Sequence, residues 1–79
     1  MSLISIGYGN LVSSQRLVAV ASPDAAPIKR LVQQAKEEGK AIDATCGKKM
    51  KSILFFDSGH IVISALMPEK IAEKIEERN

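Results

Sequence analysis

The 79-residue chain contains no tryptophan, a single cysteine and a single histidine, and aromatic residues make up only 4% of it. The lone Cys46 excludes an internal disulfide. One His and one Cys cannot complete a four-ligand zinc site within one chain. No apolar run approaches the ~20 residues that a bilayer span requires. The start, Met1-Ser2-Leu3-Ile4-Ser5, has neither a basic leader nor a long apolar stretch. These absences lead to the expectation of a cytoplasmic protein with no metal, no cofactor and no membrane contact.

What is abundant is aliphatic. Hydrophobic residues form 46% of the chain, a large share for a domain that buries only roughly 60% of its unfolded surface. With disulfide and metal excluded, oligomerisation is the remaining way to stabilise so small a core. The net charge is only +2, but it is unevenly placed. Residues 1–67 carry eight Lys/Arg against five Asp/Glu, and residues 68–79 carry three against four. Between Asp43 and Asp57 there are three lysines and no acid. A local positive field of this kind favours a polyanion, and an oligomer would multiply it.

Along the chain, Leu3, Ile4, Ile6 and Tyr8 predict a short strand ending in a turn or bulge at Gly7-Tyr8-Gly9-Asn10. Leu11-Val12 is too short to assign, and Ser13-Ser14-Gln15 reads as a loop. The run Leu17-Val18-Ala19-Val20-Ala21 predicts a buried strand. Ser22-Pro23-Asp24 then signals a helix start, with Ser22 as the cap and Pro23 in the first helical position. Ile28, Leu31, Val32 and Ala35 recur at the spacing of one helix face, and Gly39 supplies a left-handed stop. Strands follow at Ala41–Cys46, Ser52–Phe56 and Ile61–Leu66, with a hairpin turn at Asp57-Ser58-Gly59-His60. Pro68 opens a final helix carrying Ile71 and Ile75. The order β-β-α-β-β-β-α describes a single α+β domain over residues 1–79, with a mostly antiparallel sheet of about five strands, one long helix and a C-terminal helix.

The segment Gly47-Lys48-Lys49-Met50-Lys51 holds three ammonium groups in four positions. Each phosphate that such groups neutralise releases counterions; the alternative is a solvated loop kept charged for solubility. No aromatic residue is interleaved with these lysines, which argues against stacking on single-stranded bases. Arg16 could place a guanidinium on phosphate or a guanine edge, or serve as a rim residue in a salt bridge. Lys29 and Arg30 could extend a basic surface or be ordinary solvated helix residues. Gly7-Tyr8-Gly9 lacks the third glycine and the following helix of a nucleotide loop. Asp57, Ser58 and His60 crowd one turn, where triad geometry is not expected. Asp43 is placed to hold a loop by hydrogen bonds. Cys46 could be a reactive thiol beside Lys48 and Lys49, or a small packed residue at a strand end.

Several blocks together resemble the RemA family of bacterial extracellular-matrix regulators: Ile6-Gly7-Tyr8-Gly9-Asn10, Arg16, Ser22-Pro23-Asp24-Ala25-Ala26-Pro27-Ile28-Lys29-Arg30, Ile42-Asp43-Ala44-Thr45-Cys46-Gly47-Lys48-Lys49 and Asp57-Ser58-Gly59-His60. The resemblance runs from about Ile4 to Glu69. It implies a non-enzymatic transcriptional regulator of biofilm-matrix genes with a LytTR-like fold. It implies double-stranded DNA as partner, and ring-like homo-oligomers, an octameric ring among the possible forms. It places DNA contacts at Arg16, Lys48 and Lys49, with a further basic position at Lys51, and assigns Pro27 a role in helix geometry.

The sequence departs from the family pattern where Tyr precedes the glycine and Arg-Arg-Thr-Arg follows it. Here those positions are Cys46 and Lys48-Lys49-Met50-Lys51. Lysine offers a point charge where arginine offers a bidentate fork, so holding the phosphate backbone survives the exchange better than reading bases does. Two other partners fit a basic loop: an acidic protein surface, or RNA.

Overall fold

The computed structural model describes residues 2–78. Six strands and two helices run in the order β1 (Leu3–Ser5), β2 (Leu11–Ser13), β3 (Leu17–Ala21), α1 (Ala26–Glu37), β4 (Ala41–Asp43), β5 (Ser52–Phe56), β6 (Ile61–Ser64) and α2 (Pro68–Arg78). β3, β5, β6 and β4 form a four-stranded sheet in that spatial order, while β1 and β2 form a separate hairpin. Only the β4–β6 pairing is parallel. The expected α+β class and mostly antiparallel sheet are therefore present, with one strand more than the sequence reading assigned.

Alternation along the two central strands builds three layers. Ile53, Ile61 and Ile63 face one side of the sheet and pack with Val32 and Ala35 of α1. Leu54 and Val62 face the other side, where they meet Ile4 and Ile6 of the hairpin segment and Ile71 of α2. Burial on both faces explains why β5 and β6 read as continuous apolar runs. Two serines stitch the second interface. Ser64 Oγ donates to the Ile6 carbonyl at 2.9 Å, and Ser52 Oγ donates to the Leu66 carbonyl. No buried side-chain nitrogen or oxygen among the described residues lacks a partner.

The bounds of β2, α1, β4 and β6, and the burial of β3, differ from the sequence reading. β2 exists because Tyr8 and Gly9, both at positive φ (54° and 79°), turn the chain, and the Asn10 N–H closes the turn on the Gly7 carbonyl at 3.1 Å. Two consecutive left-handed residues make the hairpin turn that matches strand twist. The helix starts later than Ser22-Pro23. Its cap is Ala25, with no side-chain hydrogen bond. Ser22 Oγ instead accepts the Asp24 N–H at 3.3 Å, closing a local turn that ends before the helix begins. Pro27 then falls in the first helical turn, where its missing donor is harmless. β3 is an edge strand, and a bulge between Leu17 and Ala19 turns Val18 outward, 68% exposed. β4 stops at Asp43 and β6 at Ser64.

Helix α1 ends as Gly39 predicts. At φ 74° it donates to the Lys36 carbonyl, and Lys40 N–H reaches the Ala35 carbonyl at 2.8 Å, satisfying two free carbonyls of the last turn. This stop drops the chain directly into β4.

Candidate functional site

The basic loop is built by its turn. The carboxylate of Asp43, the last residue of β4, accepts the Thr45 N–H at 2.9 Å and the Thr45 hydroxyl at 2.7 Å. Cys46 and Gly47 follow at φ 55° and 80°, and Lys48 N–H closes the turn on the Thr45 carbonyl at 3.0 Å. Lys51 N–H then anchors the far end on the Ser64 carbonyl at 2.9 Å. The loop is thus held at both ends, with Lys48, Lys49 and Lys51 exposed between them. Among the described residues the ion pairs are Arg16–Asp57 and Lys70–Glu73, so none of these three lysines sits within 4 Å of a carboxylate.

Thr45 holds the Asp43 carboxyl below its ordinary value of 3.8, first through its hydroxyl, then through its backbone N–H. Burial opposes this slightly, and the Lys36 charge assists it. A carboxylate with a depressed folded pKa contributes stability that is fully present above 3.8 and is lost as pH falls through the folded value. Asp43→Asn should therefore narrow the gap between neutral and acid stability. Urea midpoints of both proteins from neutral pH to about pH 2 check this; parallel curves would contradict it.

Cys46 is exposed, not packed as a strand-end residue would be. Its left-handed backbone is the second notable feature. A non-glycine residue with a Cβ pays roughly 1–2 kcal/mol in that region, and asparagine tolerates it better. Cys46→Asn should raise stability by about 0.5–1 kcal/mol. A lower melting temperature in a thermal scan would refute the turn assignment.

The remaining predicted residues divide into two groups. Lys29 and Lys36 on α1 and Lys49 on the loop line one concavity of about 460 Å³ floored by Val32 and Met50. Lys49, Met50 and Lys51 border a second of about 270 Å³, reaching Met67 and Glu69 at the start of α2. The two share Pro23, Asp24, Lys49 and Met50 and so form one trough. Arg30 is exposed on α1 outside it. Lys36 is a lining residue that the sequence reading did not single out. Its seven-residue spacing from Lys29 puts the two on one helix face, but only the fold brings that face to the loop.

Arg16 lies elsewhere. It precedes Leu17, which pairs with Phe56, whereas Lys51 precedes Ser52 at the other end of β5. Five strand steps of ~3.3 Å separate the two ends by roughly 17 Å. Arg16 Nη1 meets Asp57 Oδ1 at 3.3 Å, the rim salt bridge the sequence allowed. Both side chains are largely exposed, so the pair contributes little to stability. His60 Nδ1 lies 2.7 Å from Ser58 Oγ within the same turn. Asp57 is directed to Arg16, which leaves no Asp-His-Ser relay. Among the described residues there is no group of three or more potential metal ligands and no helix long and apolar enough to cross a membrane.

The family model described as "Extracellular matrix regulatory protein A-like" matches residues 3–75. The chain belongs to the RemA-like family. Relatives named as regulatory proteins cover nearly all of it. One from Dictyoglomus turgidum is 58% identical, over 96% of this chain and 89% of its own length. Another from Fervidobacterium nodosum is 53% identical, over 95% and 81%. A third, from Synechococcus elongatus, is 50% identical, over 94% and 85%. Membership in the RemA-like family gives the chain a regulatory role.

Proposed function

We propose that this RemA-like protein is a non-enzymatic regulator that binds double-stranded DNA through its basic loop, as a single domain spanning residues 1–79. The observation that carries the reading is the loop itself: Lys48, Lys49 and Lys51 are exposed, pinned at both ends and free of carboxylates within 4 Å among the described residues. Because the loop backbone is already held at both ends, binding phosphate has only the lysine side chains left to order. Lysine in place of arginine makes the contact one of backbone holding more than base reading.

Homo-oligomerisation is the second part of the proposal. β3 and β4 are open sheet edges, and Val18 and Ile42 on them are 68% and 52% exposed. Arg16 and the basic loop lie at opposite ends of the sheet, so an assembly presents both to one duplex more readily than a lone protomer does. Multiple weak contacts on one DNA then combine through effective concentration. Control of biofilm-matrix genes and action in the cytoplasm are part of the same proposal, and the family description is what supports the first of them.

The test is anisotropy with a labelled duplex across a salt series, together with solution mass. The expected result is binding whose logarithm falls linearly with log salt, by a species heavier than 8.5 kDa. Absence of duplex affinity at low salt, with affinity for an acidic protein instead, would replace this reading.

A further inference from the structure

The trough on either side of Met50 is longer than the basic loop. Its lysines come from two elements distant in sequence. Lys29 and Lys36 stand two turns apart on one face of α1, and Lys49 and Lys51 flank Met50 on the loop. Val32 and Met50 form an apolar floor that keeps the two lysine rows apart and the channel open. Two acids intrude: Asp24 borders both halves, and Glu69 closes the α2 end. Lys48 lines neither half, so the adjacent Lys48 and Lys49 face different surroundings.

We propose that this trough seats a run of successive phosphates from one strand of the duplex, with Lys36 and Lys29 as contacts beyond the basic loop and Asp24 as a built-in brake on affinity. The inference rests on the DNA-binding reading above. The continuity of the two concavities favours a linear polyanion over a compact ligand, because cationic groups recur along the whole length of the channel and do not converge on one point. Asp24 sits where such a backbone passes. Its carboxylate is held by Ser22 Oγ at 3.2 Å and has no cation within 4 Å among the described residues. Its charge therefore opposes each phosphate brought near it, and that opposition weakens as salt screens it.

Anisotropy with a labelled duplex, in salt from about 50 to 200 mM, distinguishes the possibilities. Lys29→Ala with Lys36→Ala should weaken binding at least tenfold at low salt and reduce the log–log salt slope by about 1.8 per engaged protomer. Lys40→Ala, which removes one ammonium from outside the trough, is the control for a general loss of charge. Its ammonium lies beside Gly59, outside the trough and at the Arg16 end of the sheet, and its loss should cost clearly less affinity than that of Lys29 and Lys36. Asp24→Asn should tighten binding several-fold at low salt, with the gain shrinking as salt rises; a misfolded variant cannot produce that gain. Three results would overturn the track while leaving DNA binding in place: wild-type affinity in the Lys29/Lys36 variant, an equal loss in Lys40→Ala, or no gain in Asp24→Asn. A wild-type protein with no duplex affinity would instead remove the underlying reading.

Discussion

Replacing Lys48 and Lys49 together by alanine is expected to abolish duplex binding while leaving oligomer mass and melting behaviour intact. Both side chains are exposed and neither has a carboxylate within 4 Å among the described residues. Surface substitutions of that kind change stability by no more than about 0.5 kcal/mol. Removing two neighbouring positive charges even relieves a small repulsion. The loss should therefore appear in binding alone. Each phosphate contact contributes about 0.9 to the salt slope, so two lost contacts diminish the response to a fourfold salt change by roughly tenfold per engaged protomer. In an assembly every copy loses them at once. Unchanged binding of the double variant at several salt concentrations would refute the loop as the contact site.

Glycine at position 47 gives the same claim a second handle. A Cβ there would meet no atom within 4 Å, so the cost of Gly47→Ala is conformational, set by φ at 80°. That cost is about 1 kcal/mol or more. Because the turn fixes where Lys48 leaves the sheet, the variant should lose affinity as well as stability.

The parts of the fold visible in the sequence are those whose pattern is local. β5 and β6 announce themselves as apolar runs between turn residues, and the α1 face repeats at helical spacing. β2 escaped because three residues carry no periodicity; only the left-handed Tyr8-Gly9 turn makes them a strand. The helix start misled because Ser22 makes the same kind of hydrogen bond in a free-standing turn as in a cap. Edge position is a tertiary property, which is why Leu17–Ala21 reads as buried and is not. The candidate site shows the same limit. Three lysines in four residues are plain in the sequence. Nothing local reveals that α1 brings Lys29 and Lys36 alongside them, or that Arg16 lies at the far end of β5.

Leu54→Ala should remove a large share of the protein's stability. Leu54 is fully buried at the junction of three units: the β1–β2 hairpin through Ile4 and Ile6, the sheet through Val62, and α2 through Ile71. Truncating a buried leucine removes its transfer free energy and leaves a cavity, at about 2.7–5 kcal/mol. A chain of this size has a total stability of only about 4–12 kcal/mol. The cavity cannot close easily, because Ser64 and Ser52 tie the layers on either side of it at fixed separation through the Ile6 and Leu66 carbonyls. Ile28→Ala provides the contrast. It removes a similar side chain, but one that only packs against the opposite cluster from the partly exposed start of α1, so its cost should be clearly smaller. Urea denaturation followed by circular dichroism, at two protein concentrations, measures both. Concentration-dependent midpoints would add that association contributes to the stability being lost. A Leu54→Ala penalty below about 1 kcal/mol would mean that hairpin and helix do not close over the sheet as described.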